Sequence, residues 1–149
     1  MKNIFGIIPP ATTAFDGDGR LDEDSVVQQL QWLKANGSHG VAVGGSTGEG
    51  HTLSRDEFKI LLKLARESLG TAFPLVAGII VNSTDEAIER GKIARDQGAD
   101  VLQVTPVHYL FKPDDEAMIQ HFREICDGTG MHLLIYNVCL LYTSPSPRD

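Results

Sequence analysis

Short apolar runs alternate with amphipathic segments along most of the chain. The segments between the runs carry apolar residues at helical spacing, as at Val26, Leu30 and Leu33, with Val27 beside them. The apolar runs themselves are typical of buried β-strands and lie at residues 4–10, 40–45, 74–81, 100–106 and 132–138. The pattern therefore predicts the order (βα)₄β, which requires a parallel sheet with helical crossovers.

Helix boundaries can also be predicted from the sequence. Ser54 with Glu57, and Ser83 with Glu86, have the spacing of a capping box, in which each residue satisfies a backbone N–H of the other. These pairs predict the first turns of the second and third helices. For the fourth helix, the stripe expected to face the core consists of Met118, Ile119, Phe122 and Ile125.

Two α/β architectures fit this order: an open doubly wound sheet, or part of an eight-stranded barrel. Both bind ligands at the carboxyl ends of their strands. The sequence places polar groups at each of those ends. They are Thr12-Thr13, the glycine-rich stretch 44–50, Asn82-Ser83, the stretch 105–113 and Tyr136-Asn137.

Composition narrows the possible functions. The chain has 149 residues, of which 42% are apolar and 22% charged, and this is enough for one domain with a core. Its formal net charge of −7, without a basic run, argues against nucleic acid as a partner. Two cysteines imply no disulfide framework, and no run approaches the roughly 20 apolar residues of a membrane span. We therefore expect a cytoplasmic protein with no membrane association.

The stretch 44–50, GGSTGEG, is the most distinctive motif. Its four glycines allow consecutive N–H groups to converge on an anion, and Ser46 and Thr47 add two hydroxyl donors. A small carboxylate suits such a loop, and a tight turn without function is the alternative. A nucleotide phosphate loop is the third interpretation, but His51 occupies the position where that motif requires lysine.

The five histidines predict no metal site, because they lack the spacing that zinc ligands favour. They are His39, His51, His108, His121 and His132.

Three motifs together resemble the dihydrodipicolinate synthase and N-acetylneuraminate lyase family. They are VGGSTGE after the second strand, VTP after the fourth and YNV after the fifth, and the resemblance covers residues 4–138. It implies the N-terminal half of a TIM (β/α)₈ barrel, truncated after (βα)₄β. It also implies a class I lyase or synthase that binds pyruvate or a similar 2-oxo acid through a lysine Schiff base. No further cofactor is implied, and the parent enzyme is expected to be a homo-oligomer, a tetramer.

The resemblance also implies roles for individual residues. Ser46, Thr47 and Gly48 would bind the carboxylate of the 2-oxo acid, and Thr47 would also relay a proton. Tyr136 would carry protons to and from the substrate carbonyl, since carbinolamine formation needs a donor and acceptor near one carbon. Tyr109, or His108 beside it, would complete the relay. A strand-end tyrosine that only packs, and an interface role for Tyr109, are the structural alternatives.

None of the six lysines suits a Schiff base. Lys34, Lys59, Lys63 and Lys92 fall on predicted helices, Lys2 precedes the first strand, and Lys112 stands beside acidic residues that favour its charged form. By resemblance the nucleophile lies on a sixth strand. The chain alone is therefore expected to be inactive, with residues 139–149 forming a non-native or disordered tail derived from an adaptor sequence. A sugar-acid aldolase such as N-acetylneuraminate lyase, and a non-catalytic module that binds a 2-oxo acid, remain as alternatives.

Overall fold

The computed structural model describes residues 4–107 and 113–137, in which helices and strands alternate as the apolar pattern predicts. The helices are α1 (Glu23–Ala35), α2 (Arg55–Leu69), α3 (Thr84–Asp96) and α4 (Asp115–Thr129). The strands are β1 (Val41–Val43), β2 (Leu75–Ile79), β3 (Val101–Val104) and β4 (Leu133–Ile135). All pairings are parallel, in the order β1-β2-β3-β4. The prediction of half a (β/α)₈ barrel is confirmed.

The first predicted strand, residues 4–10, is wrong as a regular strand. The segment forms one isolated parallel bridge, between Pro10 and Ala42 of β1. Ala42 donates its N–H to the carbonyl of Pro9 over 3.0 Å, and Ala11 donates to the carbonyl of Ala42 over 2.8 Å. Neither proline has an N–H, so the segment cannot build a continuous ladder. It nevertheless lies beside β1, where a first barrel strand belongs.

The helices cover one face of the sheet, and this face holds the main core. The largest buried side chains there include Phe58, Leu61 and Leu62 of α2 and Leu75 and Ile79 of β2. The opposite face carries a smaller cluster of Ala42, Val76 and Val101 packed against Ile4 and Ile8. The sheet is thus apolar on both faces, as parallel sheets usually are. In the described ranges, no helix has the length and apolar character of a membrane span.

Of the two predicted capping boxes, one forms completely and the other by half. Glu57 donates its N–H to Ser54 Oγ over 3.2 Å, and its carboxylate accepts the Ser54 N–H over 2.8 Å. The hydrogen bonds from Ser54 lower the pKa of Glu57. At α3, Ser83 Oγ accepts the Glu86 N–H over 3.4 Å, but the Glu86 carboxylate binds arginines of α2 and α3 instead. The prediction is thus confirmed for Ser83 and wrong for the Glu86 carboxylate, because Arg55 and Arg90 bind that carboxylate instead.

The buried face of α4 is displaced from the predicted stripe. Ile119 is 52% exposed, whereas His121, Ile125 and Thr129 are buried. The reason is that α4 packs on α3, with His121 hydrogen-bonded to Thr84 at the start of that helix. The predicted stripe is therefore wrong at Ile119.

Candidate functional site at the carboxyl end of the sheet

The glycine-rich loop 44–50 follows β1 and folds back across β2. A Cβ on Gly78 of β2 would lie 2.4 Å from the Cα of Gly45, so only glycine allows this crossing. Gly50, at the end of the loop, packs against Gly44 at its start, so a Cβ added to Gly50 would lie 1.7 Å from the Gly44 carbonyl oxygen. The close return leaves Ser46 and Thr47 exposed at the tip of the loop.

Two backbone hydrogen bonds define the turn. Gly50 donates its N–H to the carbonyl of Gly45 over 3.0 Å, and Glu49 donates to the carbonyl of Ser46 over 3.2 Å. Glu49 has φ = 52°, and it is the one non-glycine residue with positive φ in the part of the chain that the structure describes. Such a backbone persists only where its surroundings hold it, and it is commonest at functional sites.

Thr13 holds the loop at Gly48. Its side chain is only 7% exposed, and its hydroxyl donates to the Gly48 carbonyl over 2.6 Å. The space around Gly48 is also limited, since a Cβ there would lie 2.9 Å from the Ala11 carbonyl oxygen. The polar end of the 4–13 segment is therefore packed directly against the carboxylate-binding motif predicted from sequence.

Arg90 holds the end of the loop, and sequence reasoning missed it. Its guanidinium donates to the carbonyls of Gly50, over 3.0 Å, and Leu53, over 2.7 Å. A signal was present in the sequence, because Arg90 occupies the buried helical stripe formed with Ala87 and Ala94. A charged residue at such a position needs buried partners.

Tyr136 lies at the same carboxyl edge of the sheet as the loop. It follows β4, is half-buried, and donates its N–H to the Val104 carbonyl over 2.8 Å. The strands β1, which the loop follows, and β4 are the first and last of the four-stranded sheet. Together with Gln103, Tyr136 lines a cavity of about 270 Å³ on the inner face of the sheet, which is the face opposite the helices. The structure thus places Ser46, Thr47 and Tyr136 along one edge of the sheet, after β1 and β4.

Comparison with known proteins identifies the family. The Dihydrodipicolinate synthetase family matches residues 3–143. The chain belongs to this family. It is 40% identical over 134 residues to the 4-hydroxy-tetrahydrodipicolinate synthase of Rhizobium meliloti (strain 1021), covering 89% of this chain and 45% of that protein. The chain therefore spans less than half the length of the curated relatives that it matches.

Solved structures of family members have the same fold. Dihydrodipicolinate synthase from Acinetobacter baumannii, complexed with pyruvate, has a TM-score of 0.88 at 33% identity, covering 93% of this chain and 47% of that one. The sialic acid aldolase of Ruminococcus gnavus has a TM-score of 0.84 at 26% identity, covering 91% of this chain and 45% of that one. Over the matched part, both proteins thus share the arrangement of strands and helices seen in this chain.

The structure also locates some of the other candidates from the sequence. The prediction that four lysines lie on helices is confirmed, with Lys34 on α1, Lys59 and Lys63 on α2, and Lys92 on α3. Tyr109, His108, Lys2, Lys112 and the tail 139–149 lie outside the described residues. Within 4–107 and 113–137, no group of three or more His, Cys, Asp or Glu residues has a metal-binding arrangement.

Proposed function

We propose that this chain is part of a lysine Schiff-base lyase or synthase that acts on pyruvate or a similar 2-oxo acid, like 4-hydroxy-tetrahydrodipicolinate synthase. The observation that carries the proposal is the loop 44–50, which exposes Ser46 and Thr47 on a backbone held at Gly48 by Thr13. The pyruvate complex of the Acinetobacter baumannii relative supports the same class of ligand.

In this proposal the carboxylate of the 2-oxo acid binds at residues 46–48. Among the described residues, no carbonyl accepts the N–H groups of Ser46, Thr47 and Gly48, whereas those of Glu49 and Gly50 are engaged. Three N–H groups and two hydroxyls at a loop tip form a suitable receptor for an anion. A fixed carboxylate in turn orients the adjacent carbonyl carbon for attack by an amine.

Tyr136 is proposed to transfer protons at that carbonyl, with Thr47 and Tyr109 completing the relay. The chemistry requires such groups, because carbinolamine formation and dehydration move protons at one oxygen. The half-buried position of Tyr136 beside an inner-face cavity supports its role. A tetrameric assembly, by analogy with the family, belongs to the same proposal.

The chain of 149 residues by itself is proposed to be inactive. The four described lysines lie on helices, three of them engaged with Leu69, Glu67 and Glu89. A lysine engaged in this way is a poor nucleophile. By analogy with the family, the nucleophile is expected on a strand that follows β4.

Borohydride trapping with pyruvate tests the mechanism. A full-length protein that contains residues 4–138 should give a stable adduct on a lysine C-terminal to residue 138, and the 149-residue chain should give none. In the longer protein, Thr47→Val should raise KM for pyruvate, whereas Thr71→Val, at an exposed threonine after α2, serves as the matched control. The absence of an adduct in the longer protein would refute the mechanism.

A sugar-acid aldolase is the second candidate, favoured by the match to the sialic acid aldolase of Ruminococcus gnavus. Release of pyruvate from a sialic acid by the longer protein would support this branch. Heat of pyruvate binding without turnover or trapping would instead indicate a non-catalytic 2-oxo acid binding module.

A further inference from the structure

We propose that Arg90 is a positioning residue that sets the conformation of the loop 44–50, and this inference rests on the proposed role of the loop in binding a 2-oxo acid. Arg90 is 7% exposed and lies on α3, forty residues from the loop that it contacts. Its two terminal nitrogens donate separately to the carbonyls of Gly50 and Leu53. One planar guanidinium therefore joins the end of the loop to the residue that precedes the cap of α2.

The guanidinium is itself fixed in place. Its Nε donates to Glu86 over 3.0 Å, and Glu86 is also paired with Arg55 of α2. The hydrogen bond from Arg55 is the main reason that the pKa of Glu86 lies below its usual range. Arg90 also stacks 5.4 Å from the centre of the Phe58 ring. These contacts restrain the Arg90 side chain. Its guanidinium therefore keeps the Gly50 and Leu53 carbonyls at a fixed position relative to α3.

The contacts of Gly50 explain how Arg90 influences Ser46 and Thr47. Both backbone groups of Gly50 are hydrogen-bonded. Its N–H donates to the Gly45 carbonyl, and its own carbonyl accepts a hydrogen bond from Arg90. The six-residue turn from Gly45 to Gly50 contains Ser46 and Thr47. Thr13 restrains the same turn at Gly48. Thr13 and Arg90 thus restrain the loop at two different carbonyls, those of Gly48 and Gly50.

Arginine is required here because lysine cannot reproduce the geometry. The two carbonyls and one carboxylate are satisfied by a planar fork with donors in fixed directions, whereas an ammonium group is a compact point charge. Arg90→Lys keeps the positive charge for Glu86 but cannot span both Gly50 and Leu53.

Arg66 offers a matched control within the same fold. It donates to the carbonyls of Gly70, over 2.7 Å, and Phe73, over 2.9 Å, and it pairs with Asp100 over 2.9 Å. These contacts lie near the amino ends of the strands, because Phe73 precedes β2 and Asp100 precedes β3. Arg66→Lys therefore removes a comparable arginine clamp at the edge of the sheet remote from the loop.

Amide hydrogen exchange, measured by NMR without ligand, tests the inference. Arg90→Lys should speed exchange of the Gly50 and Thr52 amides about tenfold relative to Ala77 and Gly78 of β2, because a charged hydrogen bond at the loop is lost. Arg66→Lys should leave that ratio at the wild-type value. Should Arg90→Lys fail to fold, Glu86→Gln provides the second variant, which loosens Arg90 and should shift the ratio in the same direction.

Equal acceleration at the loop and at β2, or no acceleration at the loop, would overturn the inference and leave Arg90 a general contributor to stability. The result is independent of ligand binding. If the loop ratio changes as expected but the longer protein carrying Arg90→Lys shows an unaltered KM for pyruvate, the proposed role of the loop fails while the positioning role stands.

Discussion

Thr13 donates its hydroxyl to the carbonyl of Gly48 across 2.6 Å, and the two residues are 35 positions apart in the chain. The bond is buried, and it connects the segment that precedes α1 with the loop that follows β1. A buried carbonyl that loses its partner has no water to replace it, so this one contact carries more consequence than a surface hydrogen bond.

The first prediction concerns this bond. Thr13→Val keeps the shape of the side chain but removes the donor, so the free energy of unfolding should fall by about 1–3 kcal/mol. Thr13→Ser retains the hydroxyl and should lose less, since only a methyl group is removed. Chemical denaturation of the three proteins measures the difference. Equal stability of Thr13→Val and wild type would contradict the importance given to the bond.

The second prediction compares two glycines of the same loop. Gly50→Ala places a Cβ within 1.7 Å of the Gly44 carbonyl oxygen, where the backbone itself must move. It should lower the free energy of unfolding by about 3 kcal/mol. Gly45→Ala is the control, because a Cβ there meets nothing within 4 Å. Thermal melts should show a large decrease for the first substitution and a small change for the second.

The third prediction concerns pH. His121 is 5% exposed, and its Nδ1 lies 2.9 Å from Thr84 Oγ1, while Nε2 has no hydrogen-bond partner within the described residues. Burial lowers the pKa of His121 below its ordinary value of 6.5, and nearby Glu124 opposes this only in part. The unfolded chain therefore takes up the proton at a higher pH than the folded chain does. Stability is fully present above about pH 6.5 and is lost as the pH falls toward the folded pKa.

His121→Gln should remove this dependence. Denaturation at several pH values between 5 and 8 is expected to show a shallower slope for the variant than for the wild type. Parallel slopes in the two proteins would exclude His121 as the titrating group.

The fourth prediction concerns self-association of the 149-residue chain. Within the described sheet, β4 pairs only with β3, and Ile135 on β4 is 59% exposed. An apolar strand with an open edge favours pairing with another chain. Sedimentation velocity should show concentration-dependent oligomers, and Ile135→Lys should shift them toward monomer. Trp32→Lys is the control, since it places the same charge at an exposed apolar residue of α1. A monodisperse monomer with a sharp melt in the wild type would contradict the prediction.

The local part of this fold could be predicted from the sequence. The alternation of apolar runs and helical stripes predicts the order of strands and helices, because the apolar period of each segment depends only on residues close in the chain. The first capping box, Ser54 with Glu57, was predictable for the same reason. Residue types alone also singled out the loop 44–50, since four glycines and two hydroxyls in seven positions are suited to binding an anion.

Only the tertiary structure decided how that loop is held. The contacts of Thr13 and Arg90 with the loop join residues 35 to 40 positions apart, and no local period records them. Long-range packing also explains two differences from the sequence prediction. Glu86 pairs with Arg55 of α2 instead of completing its capping box, and the buried face of α4 contains His121 rather than Ile119. A short motif specifies which groups are available, but burial and hydrogen bonding between distant segments decide where those groups point, because most buried polar groups are hydrogen-bonded to partners that only folding brings close.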